Sequence, residues 1–154
     1  MWPAATFWKT GNPEHVPRLP GRLGIPARAA TGYDHGSQEE PAMTRLIPVD
    51  DAPEPEISRP DPGRLVSGDP VLTTWNVEER DGLYAGRWHA TVGAWQVVYD
   101  EWEYFRIIEG HSILTEEGGE PRHLRPGDGW VIRPGFRGVW EVVEPTLKDY
   151  VIRL

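Results

Sequence analysis

The sequence predicts an all-β protein, an antiparallel double-stranded β-helix (a jelly-roll barrel), and three observations carry that prediction. From Val71 onward, short runs of Val, Ile, Trp, Tyr and Thr alternate with glycine and proline, which is the texture of half-buried strands. No stretch keeps apolar residues at helical spacing long enough to make a long helix. Many short strands leave edges that must be covered, and a closed antiparallel jelly roll is the simplest arrangement for this number of them.

The chain before this texture, residues 1–70, holds twelve of the sixteen prolines and has no sustained apolar periodicity. It is expected to be a disordered or extended arm. Within it, Gln38-Glu39-Glu40 can be encoded CAG-GAG-GAG, a purine run like a bacterial ribosome-binding site, two codons ahead of Met43. Translation is therefore expected to start at Met43, with residues 1–42 not translated. Residues 71–154 form the predicted folded domain. Its strands are expected at 71–77, 83–91, 95–100, 103–108, 111–115, 122–124, 129–132, 138–143 and 148–153. Turns are expected at Asp81-Gly82, Gly93, Gly118-Gly119, Pro126-Gly127-Asp128 and Pro134-Gly135, with Glu116-Glu117-Gly118-Gly119 closing a hairpin.

Composition narrows the function classes. A length of 154 residues suits one hydrophobic core and not two. The chain has no cysteine, so disulfides and thiolate chemistry are excluded, and a cytoplasmic location is expected. No apolar run approaches the ~20 residues of a membrane helix, and the first residues lack a basic-then-apolar leader. No membrane partner is expected. Sixteen basic and twenty-four acidic residues give a net charge of -8, which repels phosphate backbones and excludes nucleic acid as a general partner. The four basic and four acidic residues of 1–42 cancel, so the charge survives either start. Of eight tryptophans, six lie between Trp75 and Trp140, where most are expected to pack as core, Trp75 and Trp88 among them.

Two spacings carry a resemblance. Glu103-Tyr-Phe-Arg-Ile-Ile-Glu-Gly110 fits the E-x6-G end of a motif G-x5-H-x-H-x3-4-E-x6-G, and Gly127 and Gly135 fit the glycines of G-x5-P-x-G-x2-H-x3-N, with Arg133 at its proline. These are the two motifs of the cupins, and the segment from Trp75 to Leu154 resembles them. Gly135-Phe-Arg-Gly-Val-Trp140 and Leu147-Lys-Asp-Tyr-Val-Ile152 resemble the subfamily that includes (S)-ureidoglycine aminohydrolase-like domains. The resemblance implies a jelly roll, a homodimer, and nitrogen-rich or carboxylate-bearing substrates. It does not imply the family's metal. The motif-one histidine positions hold Gln96 and Val98 with the longer spacing, or Val97 and Tyr99 with the shorter, and the motif-two histidine falls at Gly138. Glu103 alone remains, whereas Zn, Fe or Mn sites need three or more convergent donors. His89, His111 and His123 have no ligand-like spacing. No metal ligand and no cofactor are expected.

Strand alternation predicts what lines the interior instead. If Gly138 faces inward, so do Trp140 and Val142. In the last strand Lys148, Tyr150, Ile152 and Leu154 form the more apolar face, and before Glu103 the set Trp95, Val97 and Tyr99 outweighs Gln96, Val98 and Asp100. The expected ligand-binding residues are thus Trp95, Tyr99, Phe105, Trp140 and Tyr150, with Arg133 near the mouth, around the candidate catalytic residues Glu103 and Lys148. A buried carboxylate and ammonium must pair with one another or with a ligand.

Three functions follow as expectations. The first is a small-molecule-binding domain holding a small polar metabolite in an aromatic pocket without a tightly held metal. The second is a metal-independent isomerase, lyase or aminohydrolase-like enzyme using Glu103 as base and Lys148 as electrostatic partner. The third is a structural or regulatory dimer module whose barrel is plugged by Trp140. The intact mass of natively expressed protein is expected to fit a chain starting at Met43, and a mass fitting Met1 overturns that start.

Overall fold

The computed structural model describes residues 45–51 and 54–154, so the expected start at Met43 lies outside them. A single 3-10 turn, Val49–Asp51, is the one helical element among the described residues. Nine strands follow: β1 Glu56–Ser58, β2 Leu65–Gly68, β3 Leu72–Arg80, β4 Leu83–Ala90, β5 Gly93–Val98, β6 Trp102–Glu116, β7 Arg122–Leu124, β8 Gly129–Ile132 and β9 Arg137–Arg153. All pair antiparallel in one curled sheet, in the order β1-β3-β4-β9-β5-β2, with β6 joined to β7, β8 and β9.

The architecture rests on two long strands. β9 pairs with β4 through Thr146–Arg153 and with β5 through Arg137–Val142. On its other edge it pairs with β6 along nearly its whole length, from Trp102↔Arg153 to Glu116↔Gly138. The first half of β6 also carries β8 and the second half carries β7. The curled sheet therefore has two facing halves, β1-β3-β4-β9-β6-β8 and β2-β5-β9-β6-β7, with β6 and β9 running through both. This is the predicted all-β jelly roll.

One expectation needs correction here. The sequence pattern divided β6 at Glu109-Gly110 and β9 at Glu144-Pro145, giving two strands in each case. Each pair is one bent strand, and the register shifts at Ile107/Glu109, Glu109/His111 and His111/Ser112 mark the bend. Gly110 has φ +83°, and a Cβ there would stand 2.0 Å from the Pro145 carbonyl oxygen. The glycine and proline that read as strand breakers are the corner of a continued ladder, where a bulge sharpens twist without ending pairing.

The edge strands bring a second correction. The domain starts before residue 71, because β1 pairs with β3 and β2 with β5. Their residues are almost all exposed, so they carry no alternation to read; proline is tolerated beside such edges. Asp81-Gly82 forms the predicted tight turn with φ +52° and +75°, the left-handed pair that a two-residue hairpin needs. The 112–114 and 122–124 segments pair as the expected hairpin.

The core lies between the two halves and comprises Leu72, Trp88, Trp95, Val97, Tyr99, Phe105, Ile107, Leu114, Leu124, Ile132, Trp140, Val142, Tyr150 and Ile152, among others. Of the six tryptophans in the barrel region, Trp88, Trp95 and Trp140 are buried, whereas Trp75 is half-buried and Trp102 and Trp130 are exposed. Leu154, expected inside, lies beyond the end of β9 and is exposed.

The corner supplies a test. Gly110→Ala is expected to cost about 2–5 kcal/mol in urea unfolding, combining a left-handed backbone penalty of ~1–2 kcal/mol with overpacking of ~1–3 kcal/mol. A change below about 0.5 kcal/mol would show that the corner relaxes freely.

Candidate functional site

Alternation along β6 and β9 turns Glu103, Phe105 and Ile107, and Trp140, Val142, Lys148, Tyr150 and Ile152, into the barrel. Glu103 is opposite Ile152 in the ladder, and Lys148 is opposite Ile107. The lysine stem runs across the interior and its Nζ donates to Glu103 Oε1 at 2.6 Å. Both side chains are essentially solvent-free, at 2% and 0% exposure. Three rings surround the ammonium, with centroids 4.5 Å (Trp140), 4.7 Å (Phe105) and 5.0 Å (Trp88) from Nζ. Cation–π attraction and the carboxylate replace part of the lost hydration. Burial nevertheless pushes the Lys148 ammonium below its ordinary range, against the opposing pull of Glu103.

The remaining expected residues divide. Trp95 is buried and packs on Trp88 at 6.2 Å, one ring removed from the ammonium. Tyr99 is buried beside Glu103, and burial first, then the Glu103 charge, raises its phenol well above the usual range. Its ring meets Phe136 edge-on at 5.9 Å. Tyr150 is buried, but its hydroxyl is directed to β3, where it donates to Asn76 Oδ1; burial and then Glu103 raise its pKa too. Arg133 is not brought to the pair. It is exposed in the turn after β8, where its carbonyl accepts from Phe136 N at 3.3 Å, because a turn at the barrel end leaves a long cationic side chain to water.

Two features escaped the sequence reading. Glu101 is 3% exposed, and its Oε1 is buried without a hydrogen-bond partner. Its Oε2 accepts from Asp100 N at 3.0 Å. Burial is the main cause of its raised pKa, opposed by backbone hydrogen bonds and aided by the charges of Glu103 and Asp100. In Asp100-Glu101-Trp102-Glu103 it reads as an ordinary charged turn, although its parity with Glu103 is the available signal. The second is a buried polar chain: Trp140 Nε1 donates to Ser112 Oγ at 3.2 Å, Ser112 and Thr146 share a 2.8 Å bond, and Thr146 Oγ1 donates to Glu144 O at 2.8 Å. It fixes the Trp140 indole across the interior. Small hydroxyl residues on buried strand positions give no pattern by which to find it.

The residues at the histidine positions of the cupin motifs do not fit a transition metal. Burial selects the shorter motif-one spacing, because Val97 and Tyr99 face inward while Gln96 is exposed. Gly138 leaves no space for a ligand: a Cβ there would lie 2.1 Å from the Thr115 carbonyl oxygen. Close backbone approach requires the glycine, and a histidine cannot enter without moving β6. Glu103 is engaged by Lys148, and no group of three or more His, Cys, Asp or Glu among the described residues can hold a metal.

The curled antiparallel barrel with its long bent strands has the jelly-roll fold of cupin domains. More narrowly, residues 77–150 match the EutQ-like cupin domain family. A protein of unknown function from Pseudomonas syringae pv. tomato is similar with a TM-score of 0.58 and 26% identity, over 64% of this chain and 43% of that one. EutQ from Clostridium difficile gives 0.50 and 16%, over 55% and 63%. Ectoine synthase from P. lautus gives 0.51 and 14%, over 61% and 71%. This chain therefore spans less than two thirds of the first two proteins. The identities to EutQ and ectoine synthase show a common fold alone. No curated protein matches the sequence.

Glu101 supplies a pH test. Below the ordinary carboxylate range it is protonated in folded and unfolded chains alike. As pH rises the unfolded chain ionises first, so stability is lost until the raised folded value is passed. Glu101→Gln keeps an acceptor oxygen and removes that loss. The variant is expected to match the parent in thermal unfolding near pH 4 and to exceed it by a few degrees near pH 8. An equal difference at both pH values would rule out Glu101 titration as its cause.

Proposed function

We propose that this cupin domain binds a small polar metabolite in its aromatic interior, at Glu103 and Lys148, without a tightly held metal. The observation that carries this reading is a second buried carboxylate, Glu101, whose Oε1 has no hydrogen-bond partner, beside a Glu103 already paired with the single ammonium. Buried polar atoms are almost always satisfied, and leaving one unpaired costs about 1–3 kcal/mol. A ligand N–H or O–H donor would meet that need. Trp95, Tyr99, Phe105, Trp140 and Tyr150 would supply apolar contact and Glu103 and Lys148 orientation. Similarity to ureidoglycine aminohydrolase-like domains supports nitrogen-rich or carboxylate-bearing candidates. If the site also turns its ligand over, Glu103 is the base and Lys148 the electrostatic partner of an isomerase, lyase or aminohydrolase-like reaction.

One observation favours a second reading, a plugged structural or regulatory module: Trp140 is held by Ser112 and packed on Trp88 and Phe105 at 5.6 and 5.4 Å. In either case we place the protein in the cytoplasm, with neither membrane nor nucleic acid as partner. We assign it a homodimer through the outer sheet face bearing exposed Trp102, Tyr104 and Val131; light scattering giving a monomer mass would reject the dimer.

A thermal-shift screen against small acids, ureides, amines and sugars separates the readings. A true ligand at a hundred times its Kd adds ~2.7 kcal/mol to stability, and Glu103→Gln and Lys148→Met are expected to abolish the shift. A ligand that stabilises both variants as well as the parent, or variants that only lose stability while nothing binds the parent, would leave the plugged module. Turnover assays on each hit then separate binder from enzyme.

A further inference from the structure

The β6–β7 hairpin brings together two histidines twelve residues apart in sequence. Ile113 pairs with His123 and Ser112 with Leu124. His111, two residues before Ile113, is therefore a diagonal neighbour of His123 on the face turned away from the buried Ser112 and Leu124. The two imidazoles stack with centroids 5.2 Å apart and planes inclined by 24°. His111 Nε2 and His123 Nδ1 stand 2.9 Å apart and share one proton between them, at an exposed position. Across the other edge of β6, Glu144 is opposite His111 and Glu141 opposite Ile113, both exposed. The barrel interior and the Glu103–Lys148 pair contribute nothing to this cluster.

We propose that His111 and His123 form a bidentate site for a divalent late transition metal, Cu2+ or Ni2+, on the outer face of the barrel. Imidazole nitrogens bind such ions at about 2.0–2.1 Å. Two nitrogens 2.9 Å apart can both reach one ion at that distance with an angle of about 90° between the bonds. A right angle suits the tetragonal geometry of Cu2+ and Ni2+ better than the tetrahedron of Zn2+, and Cu2+ stands highest in the affinity order of divalent ions. Turning each lone pair from the other nitrogen to a common ion needs a reorientation of about 45°, which solvent exposure permits. The proton bookkeeping is also undemanding. The imidazole that donates in the free pair moves its proton to its other ring nitrogen, so two neutral rings bind without releasing a proton. Glu141 and Glu144 add negative potential at the approach. Among the described residues no third His, Asp or Glu closes on the pair, so the remaining coordination positions belong to water or an incoming ligand.

Tag-free full chain titrated with CuCl2 and, separately, NiCl2 is the test, with calorimetry and Cu2+ electron paramagnetic resonance as readouts. One ion is expected per chain, with hyperfine structure from two imidazole nitrogens. Because the second imidazole binds as an intramolecular ligand, His111→Ala and His123→Ala are each expected to weaken binding about a hundredfold. His89→Ala, on β4, is expected to leave it unchanged. Both positions face outward, so melting curves of the variants should stay with the parent; if one falls, the resonance spectrum of the unaltered chain decides alone. Binding that persists in the double variant, a single-nitrogen spectrum, or parent affinity no tighter than that of the single variants overturns the proposal.

Discussion

The structure depends on the ladder between β6 and β9. These two strands are neighbours along both halves of the barrel, so whatever faces inward from one is set against the other at fixed spacing. Bending such a ladder without breaking it requires an extra residue and a backbone free of side-chain interference, and the Gly110–Pro145 contact meets both conditions. Gly138 serves the same ladder at its other end, against the Thr115 carbonyl. Gly110 and Gly138 are thus explained by backbone proximity, and the motif glycines Gly127 and Gly135 by their φ of +94°, before any ligand is invoked.

That ladder also determines the interior electrostatics. Glu103 comes from β6 and Lys148 from β9, and neither ion is tolerable alone: removing one partner of a buried pair costs roughly 3–5 kcal/mol. The strands are consequently tied together at a second level, beneath their backbone hydrogen bonds. The apolar alternative, a hydrophobic pair of similar volume, is often more stable than a buried ion pair. Retaining charge in so aromatic an interior therefore points away from stability as its purpose.

Much of this was legible in the sequence, and the boundary of what was legible has physical causes. Period-two alternation assigned Trp95, Val97, Tyr99, Phe105, Trp140, Lys148, Tyr150 and Ile152 to the inner face, because a one-residue error would have exposed every apolar side chain at once. Corners were misread, since Gly110 and Pro145 carry the same local signal whether a strand stops or bends. β1 and β2 were missed because exposed edge strands have no buried face to pattern. Glu101 and the Ser112–Thr146–Trp140 chain depend on contacts between elements distant in sequence, and residue type alone does not encode them. The encounter of His111 with His123 belongs to the same class: it follows from hairpin register, which spacing along the chain does not reveal.

The charge count of the interior gives the last step. Cupin metal sites place a multivalent cation beside the motif-one glutamate; here the cation beside Glu103 is the Lys148 ammonium, at 2.6 Å. An ammonium tethered to β9 carries one charge and no open coordination position, and it donates protons where a metal accepts electron pairs. It balances one carboxylate, and the cluster contains two, Glu101 and Glu103, with Tyr99 beside them. The surplus carboxylate can be neutralised by a proton, in keeping with the raised pKa of Glu101, or by a donor group brought in from outside. Any ligand entering this interior therefore competes with a proton for the same negative charge, and binding and protonation of the cluster are linked.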